Sequence, residues 1–217
     1  MNQRQALLWL SEPRYERLLA RCGGDHRSAV ALYEWHAELS AASFRLIHHF
    51  EVLLRNAVDG VLGKVQPEVP ITETWLLDFD ILRLEGVKRV ITAIERLERG
   101  KPITRGSVVA GLSFPFWAGL FGRPYEELWR HRLRFAFPAR RLLVRTAISG
   151  RMKELQRFRN RVAHHDSLLS QDVPSRLEDM FAIAGWIDSA ARAWLENQSD
   201  ALAVARAKPA VLLSSSS

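Results

Sequence analysis

Apolar residues recur at intervals of three and four along most of the chain, and strict alternation is scarce, so the pattern predicts helices almost throughout. Ser11, ahead of "EPRYERLLARC", is placed to act as an N-cap with Pro13 in the first turn, and the Gly23–Gly24 pair ends that helix. Asp25 caps a much longer segment reaching Leu62, with Pro67 and Pro70 as breakers beyond it. Further helices are expected from Leu84 to Glu98, Ser107 to Leu120, Tyr125 to Phe135, Arg145 to His164 and Pro174 to Asn197. In the last of these, Leu177, Met180, Phe181, Ala184, Ile187, Ala191 and Trp194 keep the spacing. The stretch from Pro115 to Arg123 reads as a bent connection. No internal repeat is evident. The expected fold is all-α, a single-domain helical bundle over residues 1–205 with a mobile tail at 206–217.

Two helices carry charges where the periodicity asks for apolar side chains. At about 100° per residue, Ile148, Met152, Leu155 and Val162 form the inward stripe of their helix, and Arg159 falls within it. In the long helix, Phe44, Ile47, Leu54 and Val58 form one stripe that also holds His48, Glu51 and Arg55. Leu46, Phe50, Leu53, Ala57 and Val61 form a second apolar face, which makes this helix central to the bundle. An unpaired internal charge costs several kcal/mol, so Arg159 needs a carboxylate, a set of acceptors or an anion cleft. Glu51 has two candidate partners, Arg55 one turn away and an arginine from another helix. Such a cluster is either an ion pair that fixes helix register or a phosphate-handling site with a carboxylate orienting its arginine.

Composition narrows the class further. A chain of 217 residues is long enough for a sizeable core. No run of eighteen apolar residues appears and the polar start "MNQRQALLWLSEPR" lacks a signal-peptide core, so no membrane association and a cytoplasmic location are expected. The lone Cys22 reads as a buried or half-buried thiol rather than a disulfide or zinc ligand. The formal charge of +7 is concentrated between Arg140 and Arg161, where eight basic residues stand against the single acid Glu154. Such a face is either simply solvated or attracts polyanions, and arginine suits forked contacts with phosphate. Arg151, Arg157 and Arg161 are the candidate RNA-binding residues.

Within that stretch, "RFRNRVAHHDSL" at 157–168 combines arginine, asparagine and histidine near a helix end. Asn160 and His164, four apart, share a face, whereas Arg159 and His164 are separated by about 140°. That arrangement favours a groove rim or a composite site between two chains over a closed pocket. The chemistry that suits these groups is metal-free RNA cleavage. A neutral imidazole takes the 2′-hydroxyl proton, an imidazolium gives one to the leaving 5′-oxygen, and arginine stabilises the phosphorane. DNA lacks the required hydroxyl.

"RNRVAHHD" resembles the arginine, polar residue and histidine signature of the HEPN superfamily, and the chain is similar to its Abi-like branch, linked to abortive phage infection. "ALYEWHAELSAASFRLIHHFEVLLRNAV" resembles that family's N-terminal helix with its Glu and "LRN" segment, and "LSFPFWAGLFGRPYEELW" resembles its central aromatic stretch. Where the family usually has Gly after "SF", this chain has Pro115, a departure that bears on backbone shape near the middle helix. The resemblance implies a HEPN-like helical fold, a homodimer whose paired motifs form the active groove, and endoribonuclease activity in phage defence or toxin-like growth arrest. It requires no cofactor and no metal. Arg159 and His164 are then the catalytic pair and Asn160 the adjacent polar position. Glu51, Arg55, Asn56 and His165 are supporting groups, and an antitoxin or regulatory partner is compatible with such a role.

Two other classes compete. His165 and Asp166 spell the adjacent pair of metal-dependent HD phosphohydrolases, with His48, His49, Asp172 or Asp179 as candidate further ligands, although the neighbouring arginines would repel a divalent ion. A non-catalytic helical module would hold RNA, nucleotide or partner phosphates in the basic groove without chemistry.

Overall fold

The computed structural model describes residues 1–63, 70–97 and 103–210. Pro67, Glu98 and the serine run at 214–217 lie outside them. The described residues are helical with no strand, as the periodicity predicts. The helices are α1 (Gln3–Leu10), α2 (Glu12–Arg21), α3 (His26–Leu62), α4 (Leu84–Glu95), α5 (Arg105–Gly111), α6 (Phe114–Gly119), α7 (Glu126–His131), α8 (Arg145–Ala163), α9 (Val173–Ile187), α10 (Ser189–Asn197) and α11 (Ala201–Arg206). Short 3₁₀ turns fill some connections, among them Trp75–Leu77 and Leu133–Ala136. None of the described helices is long and apolar enough to cross a membrane.

The 37-residue α3 is the hub. Asp25 caps it by accepting from the backbone N–H of Ser28 at 2.7 Å. It packs against α2, α6, α8, α9, α10 and α11, which its two apolar faces make possible. Leu46, Ile47, Phe50, Leu54 and Val58 are buried as expected. Phe44 is not: it is 53% exposed, at the edge of a groove it lines with Val162 and Ala163. The buried side chains form one contiguous cluster reaching from Ala6 to Ala201.

Elsewhere the boundaries differ for local reasons. Gln3–Leu10 is a helix, closed by reciprocal bonds in which Asn2 accepts from the Gln5 N–H and the Gln5 side chain accepts from the Asn2 N–H. Ser11 precedes α2 but makes no side-chain cap; its φ of 64° turns the chain between α1 and α2 instead. Gly23 and Gly24 take φ of 61° and 86°, which only glycine adopts at little cost, and so end α2.

The helix expected from Ser107 to Leu120 is broken at Leu112–Ser113, and Pro115 sits in the first turn of α6, where no intrahelical N–H is required. The helix expected from Tyr125 to Phe135 divides into α7 and the 3₁₀ turn Leu133–Ala136. That from Pro174 to Asn197 breaks at Asp188, whose extended backbone lets its carboxylate accept from the Ala190 N–H at 2.8 Å. After that break Trp194 is 45% exposed rather than inward. The terminal segment is packed further than expected: Val204 accepts from the Trp35 indole at 2.7 Å, α11 includes Arg206, and the Lys208 ammonium lies 5.7 Å from the Trp35 ring centre.

Candidate functional site

α8 runs from Arg145 to Ala163, within one residue of its expected end, and buries Ile148, Met152, Leu155, Phe158 and Val162. Phe158 takes the fully inward position, so Arg159 stands at the stripe's edge, facing α3. There its Nε donates to Glu51 Oε1 at 3.1 Å. The two side chains are 30% and 26% exposed, so the pair is sheltered but remains open to solvent on one side. Glu51 therefore takes the distant arginine, and no ion pair forms between Glu51 and Arg55. Arg55 instead reaches α5, donating from Nη1 to the Ala110 carbonyl at 3.4 Å, and its buried Nε finds no hydrogen-bond partner among the described residues. Asn56 is exposed.

The end of α8 is a complete Schellman turn. The Asp166 N–H donates to the Arg161 carbonyl at 2.8 Å and the His165 N–H to the Val162 carbonyl at 3.2 Å. His165 occupies the left-handed position at φ 55°, where glycine is usual. This reversal leaves His164 as the capping residue, exposed, its side chain making no hydrogen bond among the described residues.

Two side chains remote in sequence hold the turn in place. Arg14 Nη2 donates to the His165 carbonyl at 3.4 Å, and His36 Nε2 accepts from the Leu168 N–H at 3.0 Å. Burial holds the His36 imidazole below the ordinary histidine range; a backbone hydrogen bond to Asp166 opposes this and the Arg14 charge adds to it. Neither residue is marked by periodicity, because each acts through a loop that only the tertiary fold brings near. An arginine on α2 and a histidine on α3, 22 residues apart across a glycine turn, offer no spacing signal.

The remaining candidates divide by partner. Asn160, Arg157 and Arg161 line a cleft of about 540 Å³ between the end of α8 and the start of α9, together with Arg176, and with Glu154, Asp166 and Asp172 opposite in charge. Arg157 pairs with Glu154 at 2.6 Å and Arg176 with Asp179 at 2.9 Å, whereas Arg161 has no ion-pair partner among the described residues. Arg151 is bound to Asp179, a carboxylate only 6% exposed, and its guanidinium lies 5.3 Å from the Trp186 ring centre. It shares that carboxylate with Arg176, so the two arginines together keep a net positive charge.

The HD constellation is not assembled. His49 packs edge-on against Trp194, Asp172 caps α9 through the Ser175 N–H at 3.2 Å, and Asp179 is held by two arginines. Among the described residues, no three His, Cys, Asp or Glu side chains gather in a metal-holding group. Cys22 is buried, and burial pushes its thiol pKa upward.

No family model matches the chain, and neither a curated protein nor a solved structure similar to it was found.

Proposed function

We propose that the protein is a metal-independent endoribonuclease of the Abi-like branch of the HEPN superfamily, acting in phage defence or as a toxin-like growth-arrest factor. One observation carries the reading. Arg159 is oriented by Glu51 from another helix, while His164, one and a half turns further on, ends the same helix exposed and unengaged. An arginine held by a carboxylate on one nitrogen keeps its remaining N–H groups for a phosphate, and an unengaged imidazole can exchange a proton.

In the reaction, the 2′-oxygen bonds to phosphorus as an imidazole takes its proton, and the bond to the 5′-oxygen breaks as an imidazolium protonates it. The products are a 2′,3′-cyclic phosphate and a 5′-hydroxyl. Arg159 stabilises the charge that develops on the phosphoryl oxygens. Two imidazoles are required, and a homodimer supplies them as His164 of one copy and His164 of the partner subunit.

The test is RNA incubated with purified protein in excess chelator, comparing His164→Ala with charge reversal at Arg157 and Arg161. The ribonuclease reading expects cleavage that persists in chelator and is lost in His164→Ala. If RNA stays intact while binding depends on the arginines alone, the protein is a binding module.

A further inference from the structure

Another cleft, of about 280 Å³, lies between α2, α3 and the turn formed by His165, Asp166 and Ser167. Its volume is near the lower end, about 300 Å³, of pockets that enclose a small molecule. One wall carries Arg14 and Arg17, three apart on α2 and therefore side by side. Neither has a carboxylate partner within ion-pair distance among the described residues, and Asp166 is the one acid lining the cleft. The larger cleft by Asn160 differs, since its three arginines face three carboxylates and two of them are already paired. An anion therefore gains more beside Arg14 and Arg17. The apolar part of the lining comes from Pro13 and Leu18 on the same helix and from Leu169 beyond the turn, with the half-buried ring of Tyr33 on α3.

We propose that this cleft is a nucleotide subsite, taking one nucleoside monophosphate unit of single-stranded RNA next to the scissile linkage. Its substrate rests on the ribonuclease reading, but its residues are independent of Arg159 and Glu51. Arg14 and Arg17 hold the phosphate, and Tyr33 offers a stacking face for the base, a combination that tracks single strands without reading their sequence. Arg14 already donates to the His165 carbonyl, which ties the basic side of the cleft to the turn that carries His164. His36 is committed to the Leu168 N–H and closes the cleft without contributing charge.

The test uses full-length protein carrying His164→Ala, so that RNA is bound without being cut. The probes are a fluorescent RNA pentanucleotide, uridine monophosphate and inorganic phosphate. Replacing both arginines, Arg14→Ala with Arg17→Ala, is expected to weaken pentanucleotide binding at least tenfold and to lower the salt slope by about 1.4, two phosphate contacts at about 0.7 each. Tyr33→Leu is expected to weaken the monophosphate about fivefold or more and to leave inorganic phosphate unchanged. Arg17→Lys should keep most of the slope. Because Arg14 also contacts the turn, Arg17→Ala alone, which removes no hydrogen bond among the described residues, decides the matter if the double variant unfolds.

Unchanged affinity and slope in a folded Arg17→Ala protein would overturn the proposal. So would equal binding of phosphate and nucleotide, or binding of free nucleotide with no gain from the strand. Arginine-dependent binding without cleavage by the wild type would keep the subsite and remove the ribonuclease. Cleavage with KM unchanged in the double variant would do the reverse.

Discussion

Replacing Glu51 by Gln removes the negative charge that holds Arg159 while preserving side-chain volume and one hydrogen-bond acceptor. At the observed 3.1 Å the gross Coulomb attraction is about 5 kcal/mol for an effective dielectric of about 20. Most of it is offset by desolvation and by ordering two long side chains. With about a quarter to a third of each side chain still in contact with water, the net loss of stability should be about 1–2 kcal/mol, between exposed and fully buried pairs. Urea unfolding followed by tryptophan fluorescence measures that loss. The functional expectation is larger than stability accounts for: under conditions where the variant is fully folded, RNA cleavage should fall about ten- to a hundredfold in kcat, as expected when an electrostatic stabiliser loses its orientation. Arg159→Lys should fail to restore it, because an ammonium lacks the planar fork. A Glu51→Gln protein that loses stability but cuts RNA at the wild-type rate would show the pair to be a register-fixing contact, and the site reading would fall.

Other outcomes follow from the same geometry. His36 has a folded-state pKa below its ordinary 6.5, so its contribution to stability is complete above that value and is lost as pH falls below it towards the folded pKa; the urea midpoint of wild type should drop more between pH 7.5 and 5 than that of His36→Gln, and an equal drop refutes the assignment. His165→Gly should stabilise the fold by about 1 kcal/mol by removing a left-handed non-glycine residue, and a loss of stability in urea would mean that the imidazole itself is structural. Arg151→Ala should cost about 1–2 kcal/mol, since buried Asp179 keeps only Arg176, and should change RNA affinity less than about twofold; a larger affinity loss in filter binding would return Arg151 to the RNA face.

What the chain displays locally is what could be read from it. α3 and α8 were legible nearly to the residue, because Asp25 is a strong cap and both helices carry long apolar stripes. The Glu51–Arg159 contact, 108 residues apart in sequence, was legible as a need rather than a pairing: each charge sits on an apolar stripe and requires a partner. Asp188 was hidden because apolar spacing continues through it from Ile187 to Ala191, and only the capping geometry reveals the break. Asn2 and Gln5 did carry a signal for α1, three residues apart as a reciprocal cap requires. Phe44 and Trp194 misled because periodicity assigns a face without saying whether a neighbour covers it. Arg14 and His36 left no trace, since their contacts run to backbone atoms of a turn more than 130 residues away.

The central claim is that imidazoles at the end of α8 drive transesterification on RNA. Its most direct measurement is identification of the ends left when a defined RNA is treated with wild-type and His164→Ala protein, alongside the same oligonucleotide carrying a single deoxyribose at each cut position. The account expects 2′,3′-cyclic phosphate and 5′-hydroxyl ends from the wild type, none from His164→Ala, and no cut at the deoxy positions. Cleavage at deoxy positions, 5′-phosphate ends, or undiminished cutting by His164→Ala would contradict it.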